Sequence, residues 1–243
     1  MSRLTFNEED VAKLLGPSWS KPLWQEFNKP YMRNCLSLVK QERQGFSVAP
    51  PKGHVYRAYQ LCPLDQVKVV IVGQDPYPTE GHASGLAFGV HKDHVGSMPK
   101  SLINIIKELE NDLGFRGFVD PTLEHWANQG VFLINTCLTV RIGQIYSHAN
   151  IGWGEFIMAT FDVLSDTPNI VWLLWGSVAQ KIASSYINPY NQMVISTSHP
   201  SPMSAHQSFF GSKCFSDINR CLKLMGREEI NWYRSKKPPR HPS

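Results

Sequence analysis

The sequence contains few cysteines and few charged side chains. Only five of its 243 residues are cysteine, and charged residues make up 18% of the chain. The five cysteines form no Cys-x-x-Cys pair, and their odd number argues against a framework of disulfide bonds. Because a lack of disulfides is typical of reducing compartments, we expect the protein to work inside a cell.

Long hydrophobic runs are also missing. No segment approaches the roughly 18 apolar residues of a membrane span, and the first ten residues are acidic rather than signal-like. We therefore expect no membrane segment and no cleaved leader. A hydrophobic share of 42% over this length suits one α/β domain, and a net charge of +4 permits a polyanionic partner without requiring one.

Two common catalytic motifs are absent, and so is a recognisable metal-binding motif. The chain has no Gly-x4-Gly-Lys-Ser/Thr loop, which argues against nucleoside triphosphate chemistry, and no Gly-x-Ser-x-Gly elbow. His82, His91 and His94 are near one another, but no carboxylate or thiolate accompanies them at ligand spacing. We therefore predict solvated loop histidines and no metal site.

Four short apolar runs carry the strongest signal for the fold. They have little polar alternation and are rich in β-branched or aromatic residues, which is typical of strands covered on both faces. Helical patterns lie between them, so we predict a single α/β domain with a central four-stranded parallel sheet and helices on both faces. The predicted strands are 67–72, 131–134, 170–175 and 193–195.

The ends of the chain differ from its middle. A helical pattern at 7–15 ends at Gly16, and the last residues combine basic side chains with three prolines. We therefore expect an N-terminal helical segment (1–18) and a basic, proline-containing tail (233–243), and the resemblance described below implies that the main domain is the part between them (19–232).

Polar or small residues follow each predicted strand. Since the carboxyl ends of parallel strands meet at one edge of a sheet, where ligands bind, we expect these residues to share a site. In chain order they are Gln74 and Asp75, Asn135, Gly176 and Ser177, and His199.

The chemistry of these side chains favours a site that reads a nucleobase. An asparagine offers one donor group and one acceptor to a base edge, and an aromatic ring such as Phe88 can stack on the base. Serine hydroxyls and helix N-terminal amides bind phosphates without a dense basic patch. A Ser-His-Asp hydrolase built from Asp75, Ser177 and His199 is the alternative, although the missing nucleophile elbow argues against it.

The order and spacing of these motifs closely resemble the family 1 uracil-DNA glycosylases. Residues 73–77, Gly-Gln-Asp-Pro-Tyr, resemble the family's water-activating motif, and residues 199–204, His-Pro-Ser-Pro-Met-Ser, resemble its minor-groove loop. The resemblance extends from about Trp19 to Trp232, with matching segments at 85–88, 138–141, 147–153 and 175–181.

The resemblance implies a base excision repair enzyme that flips uracil out of single- or double-stranded DNA and hydrolyses its N-glycosidic bond without a cofactor. Asp75 and His199 would be the catalytic residues. The substrate-binding residues would be Gln74, Tyr77, Phe88 and Asn135. The DNA-binding residues would be Pro99, Ser101, Gly176, Ser177, Ser201, Pro202, Met203 and Ser204.

Two positions depart from the family pattern. Pro78 replaces the usual histidine after Asp-Pro-Tyr, and Met203 replaces the usual leucine of the minor-groove loop. With the short N-terminus, these departures are similar to herpesvirus members, so we expect a monomer in the host nucleus that meets viral replication proteins. The alternative is a non-catalytic DNA-binding subunit, but Asp75 and His199 argue against it because neither is needed to hold DNA.

Overall fold

The computed structural model describes residues 5–114 and 117–234, and a parallel sheet lies at its centre. In chain order the strands are β1 (Val48–Ala49), β2 (Val69–Gly73), β3 (Val131–Asn135), β4 (Val140–Arg141), β5 (Val171–Trp175) and β6 (Met193–Thr197). The central sheet has the order β3-β2-β5-β6 with every pair parallel, while β1 and β4 form a separate antiparallel pair. The predicted four-stranded parallel sheet is confirmed.

Burial explains why three of these strands read as continuous apolar runs. Every residue of β2, β3 and β5 is buried, so neither face of these strands needs polar side chains. Strand β6 lies at one edge of the sheet and alternates between partly buried and exposed residues along most of its length. Its weaker apolar pattern follows from that position.

Helices cover both faces of the sheet, as predicted. In chain order they are α1 (Glu8–Leu15), α2 (Pro17–Leu23), α3 (Pro30–Gly45), α4 (Arg57–Leu61), α5 (Lys100–Leu113), α6 (Glu124–Ala127), α7 (Trp153–Ser165), α8 (Ser177–Ala183), α9 (Ala205–Ser208) and α10 (Cys214–Leu224). On one face, the ring of Trp19 in α2 stacks on Phe132 at a centroid distance of 4.8 Å. On the other face, Trp175 meets Phe215 of α10 edge-on at 6.3 Å.

Local sequence signals fix several helix ends. Asn7 and Asp10 form a capping box at the start of α1, and Gly114 ends α5 in the left-handed conformation. Pro30 is the first residue of α3. A proline suits that position because its missing N–H would have no helical partner there.

The N-terminal helix packs into the core, whereas most of the C-terminal tail lies outside the described residues. Val11 and Leu15 of α1 are buried in the same core as the central sheet. The proposed divisions at residues 18 and 232 stay predictions, and residues 235–243 of the basic tail lie outside the described part of the chain. Across the described ranges, no helix is both long enough and apolar enough to cross a membrane.

Candidate active site

A cleft of about 170 Å³ opens at the carboxyl edge of the central sheet. Seven residues that the sequence assigned to a site line it together. Six of them come from the loops after β2 and β6 and from the end of β3, and the seventh lies in the first turn of α5. They are Gln74, Asp75, Tyr77, Phe88, Ser101, Asn135 and His199.

The last residue of β2 must be small for this cleft to form. Gly73 pairs with Asn135 in the register of the parallel strands, and a Cβ atom at position 73 would collide with Oδ1 of Asn135. The backbone N–H of Cys137 then donates to the carbonyl of Gln74 over 2.9 Å. The turn after β2 is thereby attached to the segment that carries Asn135.

Asp75 is held by the backbone of a distant loop. Its Oδ2 accepts a hydrogen bond from the N–H of Tyr146 over 3.0 Å. Partial burial raises the pKa of the Asp75 carboxyl above its ordinary value, because the charged form loses hydration, and the Tyr146 N–H opposes that shift. The carboxylate therefore has a fixed orientation at the cleft.

The tautomer of His199 is set by its own loop. The N–H of Ser201 donates to Nδ1 of His199 over 3.0 Å, so Nδ1 is an acceptor and the proton of the neutral ring is on Nε2. Burial lowers the pKa of His199 below its ordinary value of 6.5, which favours the neutral ring at neutral pH. His199 therefore brings an uncharged N–H donor to the same cleft that Asp75 lines.

The aromatic side of the cleft contains a strained residue. Phe88 adopts φ +64, an uncommon conformation for a bulky side chain, and its ring lies edge-on to Trp175 at 5.1 Å. The hydroxyl of Tyr77 donates to the carbonyl oxygen of Phe88 over 2.9 Å. Since backbone strain of this kind persists only where the surroundings impose it, the position of the Phe88 ring is tightly determined.

The predicted phosphate-binding residues lie around the cleft. Gly176, Ser177 and Ser201 line an adjoining depression that shares Gln74 and His199 with the cleft. Pro99 precedes α5, Ser204 lies beside Ser201 with 3.0 Å between their hydroxyl oxygens, and Pro202 is exposed. Met203 projects from the same loop with 93% of its surface exposed. Pro99, Pro202 and Met203 do not line the cleft itself.

The histidine-rich segment differs from the expectation of solvated side chains. His82 is buried, with 7% of its surface exposed, and its ring lies edge-on to Tyr77 at 6.5 Å. The expectation was wrong there because the loop after β2 folds back on itself, with the N–H of His91 donating to the carbonyl of His82. Among residues 5–114 and 117–234, no three His, Cys, Asp or Glu side chains are grouped as metal ligands.

One residue at the site was missed by the sequence reasoning. Tyr146 contacts Asp75 through its backbone N–H, and its hydroxyl donates to Oε1 of Gln74 over 3.2 Å. Every residue except proline has a backbone N–H, so no sequence signal could have identified this contact.

Comparisons with known proteins agree with this geometry. The model of the family described as "Uracil DNA glycosylase superfamily" matches residues 59–223. The chain is 45% identical over 216 residues to uracil-DNA glycosylase 2 of Bacteroides fragilis, covering 88% of this chain and 97% of that protein. It is 44% identical over 228 residues to the uracil-DNA glycosylase of Chlamydia muridarum, covering 93% and 98%.

A solved structure gives the same result. The crystal structure of mimivirus uracil-DNA glycosylase superposes with a TM-score of 0.85 at 26% identity, covering 95% of this chain and 90% of that one. The similarity in fold therefore extends over nearly the whole chain.

These relatives correct two expectations. The similar curated proteins from Bacteroides and Chlamydia are bacterial, and bacteria have no nucleus, so the expected nuclear location is wrong. Nothing among them supports a herpesvirus member or viral replication partners. Pro78 and Met203 are single changes in loops, where substitutions are readily tolerated, and they do not indicate a lineage. On its sequence and its fold, the chain belongs to the uracil DNA glycosylase superfamily.

Proposed function

We propose that the cleft receives a uracil base rotated out of DNA and that Asp75 and His199 catalyse hydrolysis of its N-glycosidic bond. The chain belongs to a family of hydrolases that act on this bond in uracil-containing DNA, leaving an abasic site for base excision repair. One observation carries the residue assignment: a carboxylate with a fixed orientation and a neutral histidine with a fixed tautomer line the same cleft.

His199 would stabilise the leaving group. As the bond breaks, negative charge develops on the uracil ring and on its O2 oxygen. The Nε2–H of a neutral His199 would be a preorganised donor to that oxygen. A donor of this kind is typically worth about 3 to 4 kcal/mol of transition-state stabilisation. The bond from the Ser201 N–H to Nδ1 keeps the proton on the nitrogen that would face the base.

Asp75 would act on the sugar and on water. Positive charge develops on the deoxyribose in an oxocarbenium-like transition state, and a nearby carboxylate lowers its energy. The same group can orient the attacking water and accept its proton. Partial burial strengthens these interactions because less water screens the charge.

Three other residues would select the base. Asn135 would hydrogen-bond to the edge of uracil, Phe88 would stack on its face, and Tyr77 would occupy the space in which the methyl group of thymine would lie. The bond from the Tyr77 hydroxyl to the Phe88 carbonyl supports this assignment, since it holds two walls of the pocket together. Gln74 would help to line the same pocket.

The residues around the cleft would hold the DNA. The hydroxyls of Ser101, Ser177, Ser201 and Ser204 would bind phosphates, together with backbone groups near Pro99, Gly176 and Pro202. Met203 would fill the gap that the flipped base leaves in the duplex. Its 93% exposure supports this role, because a side chain that packs on its own loop would be buried. One chain supplies the complete cleft, so we propose that the monomer is the active unit.

The direct test is release of free uracil. The protein is mixed with a uracil-containing oligonucleotide, free uracil is measured, and DNA affinity is measured separately. We expect the wild type to release uracil, and we expect Asp75→Asn to lower the single-turnover rate at least about a hundredfold with little change in affinity. DNA binding without uracil release by the wild type would instead favour a non-catalytic binding subunit.

A further inference from the structure

The loop that connects β4 to α7 reaches across to the site. Its residue Tyr146 contacts two consecutive residues of the 73–77 motif. The backbone N–H of Tyr146 donates to Oδ2 of Asp75 over 3.0 Å, and its hydroxyl donates to Oε1 of Gln74 over 3.2 Å. A single residue thereby fixes both a carboxylate and the amide beside it.

The backbone of Tyr146 is in an unusual conformation. Its φ is +61, in the left-handed region that a bulky side chain rarely adopts. The conformation directs its N–H towards Asp75. Such strain persists only where the rest of the loop imposes it, and it is common where a precise geometry serves a function.

The loop is anchored near both ends. Arg141 forms an ion pair with Glu42 of α3, and its N–H donates to the hydroxyl of Ser147 over 2.8 Å. His148 is buried, and its Nδ1 lies 2.8 Å from the hydroxyl of Thr139. The loop therefore presents Tyr146 from a fixed support.

The same loop also binds the end of the Asp-Pro-Tyr segment. The N–H of Gly143 donates to the carbonyl of Pro78 over 2.8 Å. The side chain of Pro78 has no polar atom that could orient Asp75 or a water molecule. The hydrogen bond from another residue that orients Asp75 comes instead from the loop that carries Tyr146.

We propose that Tyr146 is a positioning residue that holds Gln74 and Asp75 in the arrangement needed for hydrolysis. Its N–H fixes one carboxylate oxygen of Asp75, which leaves the other for water and the sugar. Its hydroxyl fixes the amide of Gln74 in the lining of the cleft. This inference rests on the proposed function of Asp75.

The test separates the hydroxyl from the backbone. Tyr146→Phe removes only the bond to Gln74 and keeps the N–H in place. We expect its kcat on single-stranded uracil-containing DNA to fall about threefold to tenfold with KM nearly unchanged, as for one lost hydrogen bond. Ile145→Ala is the matched control, since Ile145 is the neighbouring residue and is 61% exposed. It should stay within about twofold of the wild type.

Tyr146→Gly tests the backbone contact. Glycine adopts the left-handed conformation freely but also many others, so the N–H is no longer held against Asp75. The N–H lowers the pKa of Asp75, and its loss should raise that pKa and move the acid limb of the pH–rate profile to higher pH. Tyr146→Phe should leave the acid limb where it is. A merely structural role would not separate the two variants in this way.

A double mutant tests whether the Tyr146 hydroxyl acts on the rate through Gln74. If the hydroxyl acts through Gln74, Tyr146→Phe should cause no further loss in a Gln74→Ala background. Additive losses would overturn that part of the proposal. Thermal unfolding of each variant checks the fold, and the half-exposed ring of Tyr146 makes a large loss of stability unexpected.

The outcomes distinguish this inference from the proposed function. If Asp75→Asn keeps full activity, the catalytic assignment of Asp75 fails whatever Tyr146 does. If Asp75→Asn is inactive while Tyr146→Phe and Tyr146→Gly match the wild type in rate and pH profile, only the positioning role is overturned. A fall in kcat for Tyr146→Phe together with a shifted acid limb for Tyr146→Gly supports the proposal.

Discussion

Replacing His199 by leucine would remove the proposed donor to the leaving uracil. Leucine keeps much of the apolar contact with Phe88, whose ring centroid lies 5.8 Å from that of His199, but it has no N–H. The backbone N–H of Ser201 would also lose its acceptor, Nδ1. The variant therefore tests the donor with little change in the volume of the side chain.

The expected loss follows from the geometry of that donor. The Ser201 bond fixes the tautomer before the substrate binds, so no free energy is needed to reorient the ring. One preorganised donor to a developing oxyanion contributes about 3 to 4 kcal/mol, which corresponds to roughly a hundredfold to a thousandfold in rate. We expect His199→Leu to lower the single-turnover rate by that factor, with DNA affinity nearly intact.

The pH profile gives a second measurement of the same side chain. Burial lowers the pKa of His199 below its ordinary value of 6.5, so the neutral ring should persist to lower pH than in a free histidine. Protonation would charge the ring and place a second donor opposite the Ser201 N–H. The wild-type rate should therefore be flat above about pH 6.5, and protonation of Asp75 and of His199 should lower it only at more acidic pH.

Single-turnover excision from a uracil-containing oligonucleotide is the assay, with binding measured in parallel. His206→Gln is the control, because His206 is an exposed histidine of the nearby helix α9, and its rate should match the wild type. Equal losses of affinity and rate in His199→Leu would refute the donor role. A rate that already falls between pH 8 and 7 would show that His199 titrates above its ordinary pKa.

Three further predictions concern base choice, the loop after Asp75 and the duplex. Tyr77→Ala should release some thymine, because it opens space for a methyl group. Asn135→Asp should release some cytosine, because it reverses part of the hydrogen-bonding pattern that residue 135 presents to the base. Product analysis that finds only uracil would contradict both roles. Pro78→His should leave excision unchanged or modestly faster, since residue 78 contacts Gly143 through its backbone carbonyl. A collapse of activity in a folded variant would show instead that the proline sets the loop geometry. Met203→Ala should slow excision from duplex DNA several-fold more than from single strands, because the cost of lost stacking, a few kcal/mol, is largely absent in a single strand. Met203→Leu should be neutral or faster on the duplex, and an unchanged ratio of the two rates for Met203→Ala would exclude the proposed role of Met203 in filling the gap.

Local physics made much of the fold readable from the sequence. The apolar runs of β2, β3 and β5 are continuous because these strands are buried on both faces, and no other part of the chain is needed to recognise them. The start of α1 follows from Asn7 and Asp10, which lie three residues apart on one helical turn. The residues at the strand ends could likewise be grouped, because parallel strands share a carboxyl edge.

The chemical state of the site was decided by tertiary structure. The sequence names His199 but does not show that Ser201 bonds its Nδ1 or that burial lowers its pKa, since both depend on how the loop folds over the cleft. The left-handed backbone of Phe88 is imposed by its surroundings and opposed by its own side chain.

Long-range contacts were the least readable of all. The order β3-β2-β5-β6 is one of several arrangements that the same strands allow, and only the folded structure shows which of them forms. The contact from Tyr146 to Asp75 spans 71 residues of sequence and uses a backbone N–H. Sequence patterns report what a residue type prefers, whereas such a contact depends only on where the folded chain places a group that nearly every residue has.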